Sequence, residues 1–424
     1  MSQNTMIAPL LCWALLTGSL ACNEAAPAPT TKTSRVSAAQ NPEGPFLLLS
    51  QVQFVLKADA NGTPRPQPGP AKRLQLRPSG TSWQATFLED PESRVFHKAT
   101  CLGEGSDRRL LTIGATDAHL KTWQWQEERW VGRAHWSPCF GGSWDRLRDY
   151  EFGDVDHDGV DELILATHDQ GVVAVAEVSG DAFHPKEIYR QKDTFIHEIE
   201  VGDINGDQRL EFFATPSAPN SAKASQGGGV LMFRHTPEGY ASEQVIQFPT
   251  RHAKEILVTD IEGDGVDELY VSLEAESKRS DGALKVTQPL EIYQLKWNPT
   301  GKWSQRVVAT LPGGVQARVM LAGDLRGIGK KSLIVTTMRD GVWELSPTGK
   351  AGPWAQHRID DNSSGFEHAA GLADMDGDGA EELYVAADDQ DELRVHRWRE
   401  GRYQSEVIYT LPKRDLTWTI EACY

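Results

Sequence analysis

The sequence predicts an all-β fold, a β-propeller of seven blades with four antiparallel strands each, closed by pairing the N- and C-terminal strands in one blade. Three observations predict it. An acidic loop between two strand-like runs returns five times. The returns are spaced as the repeats of a propeller, solenoid or array are. No amphipathic helix of useful length interrupts the repeat region, and four-strand units of this length build radially.

The loops begin at positions 154, 203, 260, 324 and 374, in steps of 49, 57, 64 and 50 residues. Carried backward, the frame reaches Cys101 to Arg109, stripped of acidic ligands; carried forward, it lands on Cys423. In one full unit the alternating or apolar runs 148–152, 162–166, 172–178 and 183–189 read as strands, bounded by Gly, Asp and Asn. From Pro45 to Tyr424 there are 380 residues, and at roughly 54 per unit they hold seven blades. The run Trp418 to Ala422 is an inner strand with no successor, while 46–50, 54–57 and 83–87 are outer strands with no inner partner. Together they complete one blade and pair otherwise open edges. The proline-rich stretch 61–79 reads as irregular and leaves six or eight blades open.

Four loops place oxygen-bearing side chains at positions 1, 3, 5 and 9. They are Asp154, Asp156, Asp158 and Glu162; Asp203, Asn205, Asp207 and Glu211; Asp260, Glu262, Asp264 and Glu268; and Asp374, Asp376, Asp378 and Glu382. Calcium is a hard cation that takes six to eight oxygens, and alternate side chains of a tight loop can converge on it. Glycine at position 6, as in Gly159, Gly265 and Gly379, permits the positive φ of the turn. Solvated Asp-Gly turns are the plainer reading of one such loop. Four in register, each followed by an apolar strand, point to about four structural calcium ions. Glu262 is a methylene longer than the usual Asp. The fifth loop, with Asp324, Arg326, Ile328 and Ser332, keeps the frame without the charge.

From about Ala99 to Val385 these motifs resemble the FG-GAP and VCBS-type repeats, a group that includes the integrin α-subunit propeller and many bacterial secreted proteins. The resemblance implies calcium at the four loops. It fails at Asp324 and Cys101, where Arg326, Ile328 and Arg109 replace ligands. It says little of activity, because this propeller hosts adhesion modules, lectins and a few polysaccharide-active enzymes.

The N-terminus speaks to location. The apolar run Ile7 to Leu20 is too short to span a bilayer, so residues 1–21 read as a signal peptide. Ser19 to Cys22 resembles a bacterial lipobox with Cys22 as the lipidated residue, and an ordinary secretory cleavage is the other reading. Residues 22–44, rich in Ala, Pro and Thr, read as a disordered tether before a 45–424 propeller domain. The protein is thus expected outside the cytoplasm, lipid-anchored in a bacterial envelope, or else secreted or periplasmic. Its formal charge of −17 comes from 43 basic against 60 acidic side chains, with no basic stripe, which makes nucleic acid a poor partner.

Cys101 and Cys423 hold equivalent loop-start positions on neighbouring blades, so a disulfide between them is expected, with free buried thiols as the other reading. Six residues before each loop stand Arg148, His197, Lys254, Arg318 and His368. Converging at the strand ends opposite the loops, they could bind a carboxylate or an acidic sugar; alternatively they pair with Asp149, Glu198 and Glu255. Trp136, Phe140 and Trp144 approach the same face, suited to sugar stacking or to packing beneath their own loop. No nucleophile elbow, phosphate loop, His-Glu-x-x-His or Cys-x-x-Cys is present. The expectation is a calcium-binding, surface-tethered module for a glycan or protein ligand. The alternative is a carbohydrate-active enzyme such as a polysaccharide lyase.

Overall fold

The computed structural model describes residues 32–33, 44–58, 62–80, 82–115, 119–141, 146–168, 170–219, 226–280, 283–349, 352–413 and 415–424. The proposed signal peptide, Cys22, nearly all of the tether and Trp144 lie outside the described residues. Among the described residues, six four-stranded antiparallel sheets and one that gains a short fifth strand make the fold an all-β, seven-bladed β-propeller. Two sheets belong to a compact unit formed by residues 1–147 and 411–424, and five to a second unit, 148–410.

In the first unit, Asp415–Cys423 pairs with Phe46–Ala58 from Phe46 opposite Cys423 to Gln53 opposite Asp415, so the two chain ends share a blade. Two expectations for this blade are corrected. Runs 46–50 and 54–57 are one strand, Phe46–Ala58, with a register shift between Val52 and Phe54. The stretch read as irregular is the long strand Pro64–Ser79. Its Pro64, Pro66, Pro68 and Pro70 fall at every second position, so their missing N–H groups share one side. Pairing with Ser82–Asp90 begins only at Ala71, so those prolines cost no ladder bond. The second sheet of this unit holds Phe96–Leu102, Arg109–Gly114, Leu120–Gln126 and Arg129–Trp136, with Lys32–Thr33 added at its edge.

Each sheet of the second unit is a meander whose second strand is buried throughout. Glu162–Thr167, Glu211–Ser217, Glu268–Leu273, Ser332–Thr337 and Glu382–Ala387 are buried along their whole length. The cores lie between sheets: Ile164 and Val173 of one pack with Ile199 and Phe212 of the next. Glycine before a loop start admits this close approach. A Cβ at Gly202 would come within 2.3 Å of Val258, and one at Gly323 within 2.5 Å of Leu372. The insertion after Leu273 folds as a hairpin of Glu276–Ser280 and Ala283–Gln288.

Candidate functional site

The acidic loops sit between the first and second strands of each sheet in the second unit, and side chains fold them. In the first loop the Gly159 N–H donates to Asp154 Oδ2 (3.1 Å), Asp158 N–H to Asp156 Oδ1 (3.1 Å) and Val155 N–H to Glu162 Oε2 (3.0 Å). The fourth loop repeats this, with Gly379 donating to Asp374 (2.9 Å) and Met375 to Glu382 (3.1 Å). Such bonds draw alternate carboxylates inward, and each position-nine glutamate is held by its burial at the start of an apolar strand.

Carboxyl oxygens of Asp374, Asp376, Asp378 and Glu382 lie within 4.8 Å of one another, as do those of Asp154, Asp156 and Glu162, and those of Asp260, Asp264 and Glu268. Burial, then the charge of Asp156, pushes the Glu162 carboxyl up to about 7. Burial likewise raises Glu382. Asp154 Oδ1 is buried with no hydrogen-bond partner. This unmet oxygen among converging acids suits a hard divalent cation, so the residues of the first and fourth loops fit calcium. Asp158 stands just outside the first group.

The second and third loops differ. In the second, Asn205 Nδ2 (3.0 Å) and Arg234 Nε (3.1 Å) both donate to Glu211 Oε1, and no acidic group converges there among the described residues. In the third, Glu262 is drawn out of the convergent group by Lys296 Nζ (2.8 Å), Arg306 Nη2 (2.8 Å) and Gln294 Nε2 (3.0 Å). Burial would raise Glu262, but Lys296, Gln294 and Arg306 together hold it below its ordinary value. In each of these two loops a cation from the neighbouring strand thus lies against the position-nine glutamate, while Asp260, Asp264 and Glu268 still converge in the third. In the fifth loop Arg326 pairs with buried Glu344, and the frame persists through Asp324, which accepts from Ile328 N–H (3.0 Å).

At the opposite strand ends, the nitrogen-bearing residues are brought together but not left open. Arg148 lies 3.9 Å from Glu198, Lys254 lies 3.6 Å from Glu255, and Arg318 is bonded to Glu367. Asp149 accepts the Ile199 N–H of the next sheet at 2.9 Å. His197 Nε2 meets Ser217 Oγ at 3.1 Å, and His368, fully buried, meets the Thr337 carbonyl at 2.6 Å. Burial lowers both imidazoles, His368 to about 4. These contacts agree with the pairing alternative: Arg148, Lys254 and Arg318 each lie beside a carboxylate, as a charge this deep is costly alone. Trp136 and Phe140 stack edge to face at 5.7 Å, with Phe140 buried, so they pack beneath their own loop.

Burial, followed by the charges of Glu255 and Asp149, holds Glu198 well above its ordinary 4.5. The folded protein thus binds a proton that the unfolded chain releases. Its contribution to stability is complete below 4.5 and is lost as pH rises through the folded pKa. In calcium-free buffer, Glu198→Gln is expected to flatten the decline in the urea midpoint as pH rises above 4.5. Parallel wild-type and variant profiles would place that proton elsewhere.

Sequence reasoning missed Glu367 and His252, and above all the residues opposite the position-nine glutamates. Strand register sets Glu177, Arg234, Lys296 and Arg397 beside Glu162, Glu211, Glu268 and Glu382 respectively. The hairpin register was the available signal, hidden in the third repeat by its insertion. Between the third and fifth loops lies a cleft of about 930 Å³, lined among others by Asp260, Arg306, Arg326, Lys330 and Lys331.

The comparisons with known proteins bear on the fold. The chain resembles β-propellers. A Bacteroides uniformis protein described as a putative 6-phosphogluconolactonase aligns over 89% of this chain and 99% of its own, at 11% identity and a TM-score of 0.54. A Synechocystis apocarotenoid oxygenase variant aligns over 94% and 96%, at 9% identity and 0.54. The Dos1 propeller aligns over 91% and 86%, at 10% and 0.52. At such identities the likeness is one of fold alone. No protein-family model matches the chain, and no curated protein does.

Proposed function

We propose that this protein is a calcium-stabilised extracytoplasmic β-propeller of the FG-GAP and VCBS kind, tethered by its N-terminus and serving as a binding module for a glycan or protein ligand. The convergence of carboxylates in the first and fourth loops, with Asp154 Oδ1 unmet, carries the calcium reading. In the absence of calcium those acids repel; with it, their proximity becomes binding energy present only in the folded state. Thermal unfolding in EDTA and then in millimolar calcium is expected to show a calcium-specific rise of several degrees, absent with magnesium. No shift would make the loops ordinary acidic turns.

Ligand recognition is better supported at the cleft than at the opposite strand ends. Lys330 and Lys331 are exposed there, and Ile328 beside them is 64% exposed. Arg318, Lys254, His197 and His368 are buried. For the same reason the lyase reading draws no support from these four residues. An acidic saccharide suits two exposed ammonium groups beside an apolar rim. Retention of calcium-loaded protein on an immobilised sulfated glycan is expected to fall with Lys330→Ala/Lys331→Ala and to survive Arg148→Ala. The reverse pattern would return the ligand to the other strand ends.

A further inference from the structure

The third loop has the sequence of a calcium site and the side-chain arrangement of a filled one. Lys296 Nζ lies 2.7 Å from Glu268 Oε1, 2.8 Å from Glu262 Oε2 and 3.6 Å from Asp264 Oδ2. One ammonium thus contacts ligand positions 3, 5 and 9 of a single loop, where an ion would sit. It is placed by the hairpin: Leu269 pairs with Leu295, which sets Lys296 beside Glu268. Arg306, one strand further out, holds the other oxygen of Glu262.

The other loops supply the contrast. In the second, Arg234 occupies the matching position and lies 3.1 Å from Glu211. In the fourth, Arg397 comes no nearer than 3.5 Å to Glu382 and 3.7 Å to Asp376, and Arg399 lies 3.4 Å from Asp376, so no cation there is as close as Lys296 is to Glu268 and Glu262. In the first, the matching residue is Glu177, which adds negative charge rather than removing it.

We propose that Lys296 is the resident cation of the third loop and Arg234 that of the second, so that calcium is confined to the first and fourth loops. The inference rests on the calcium reading above. An ammonium in contact with three carboxylates offsets their charge without metal and must be expelled before a divalent ion can enter, while among the described residues no cation sits within the first loop. The chain thereby keeps the loop conformation in all five loops while only the first and fourth take metal.

The test is calcium stoichiometry on the full chain, by titration calorimetry with calcium chloride alone after EDTA removal. Wild type is expected to bind two ions, Lys296→Gln three, and Lys296→Arg two. Four ions in wild type, or no gain in Lys296→Gln, would overturn the proposal. A second pair of variants reads the same question without disturbing Lys296: Asp374→Asn is expected to lose one ion and Asp260→Asn none. Loss of an ion in Asp260→Asn would overturn it independently. If wild type bound none while Lys296→Gln bound one, the resident cation would stand and the calcium reading of the first and fourth loops would fall. No binding in either would remove both.

Discussion

Replacing Cys101 and Cys423 by serine is expected to destabilise the protein by about 2–5 kcal/mol. The two residues are disulfide-bonded with Cα atoms 5.7 Å apart, across a sequence separation of 322. The bond fastens the strand that the rest of its blade cannot hold through local chain connectivity. Asp415–Cys423 reaches Phe46–Ala58 only by closing a loop of nearly the whole chain, and the loop-closure cost grows only slowly with length. Around the seam the fold adds polar ties: Lys72 Nζ to Asp415 Oδ2 at 2.7 Å, Thr419 Oγ1 to Ser50 Oγ at 3.0 Å, and Arg108, which bonds the carbonyls of both Gly44 and Tyr424. Urea unfolding without reductant measures the effect. A loss under about 1 kcal/mol would mean that strand pairing alone holds the ends. Deleting residues 412–424 is the harsher form. It exposes the full edge of Phe46–Ala58, and soluble protein is expected to give way to aggregate. Cys139 is also disulfide-bonded, and the remaining cysteines, Cys12 and Cys22, lie outside the described residues.

The blades were legible because their signals are local. Gly and Asp bound each strand, and the apolar runs at 162–166 and 172–178 match Glu162–Thr167 and Val172–Ser179 to within a residue. Strand Pro64–Ser79 was not legible, since proline argues against a strand unless one knows which edge is free, and that depends on where Ser82–Asp90 starts to pair. The acidic loops were legible as a motif, but their charge balance was not. Whether Glu268 faces solvent, metal or Lys296 depends on a partner 28 residues away across an inserted hairpin. At the opposite strand ends the cations were visible and so were Glu198 and Glu255, but the deepest partner, Glu367, comes from a segment with no strand pattern before Ala370–Ala373. Pattern fixes elements; it does not say which charges will be buried together.

Arg318→Met is expected to cost about 3–5 kcal/mol, the size seen when one member of a buried ion pair is removed. Arg318 and Glu367 keep only 3% and 6% of their side-chain surface in contact with solvent. Burial alone would raise the Glu367 carboxyl, but Arg318, then Lys254 and Arg148, outweigh it and hold Glu367 below its ordinary 4.5. Glu367 therefore contributes stability that is present above 4.5 and lost as pH falls through its depressed folded pKa. Without Arg318 the carboxylate must stay charged with weaker support or take up a proton, so the cost should be greatest near neutral pH and shrink in acid. Lys254 limits the damage without cancelling it, since burial still disfavours its own charge. The double variant Arg318→Met/Glu367→Gln removes both charges and is expected to recover more than half of the loss. Denaturant unfolding of the two variants at neutral pH and near pH 4 decides the matter. If Arg318→Met cost under about 1 kcal/mol, or if the double variant fell as far as the single one, the pair would not be what holds these strand ends together. A variant that kept full stability and lost retention on a sulfated glycan would give Arg318 back to ligand binding, the role its position in the repeat first suggested.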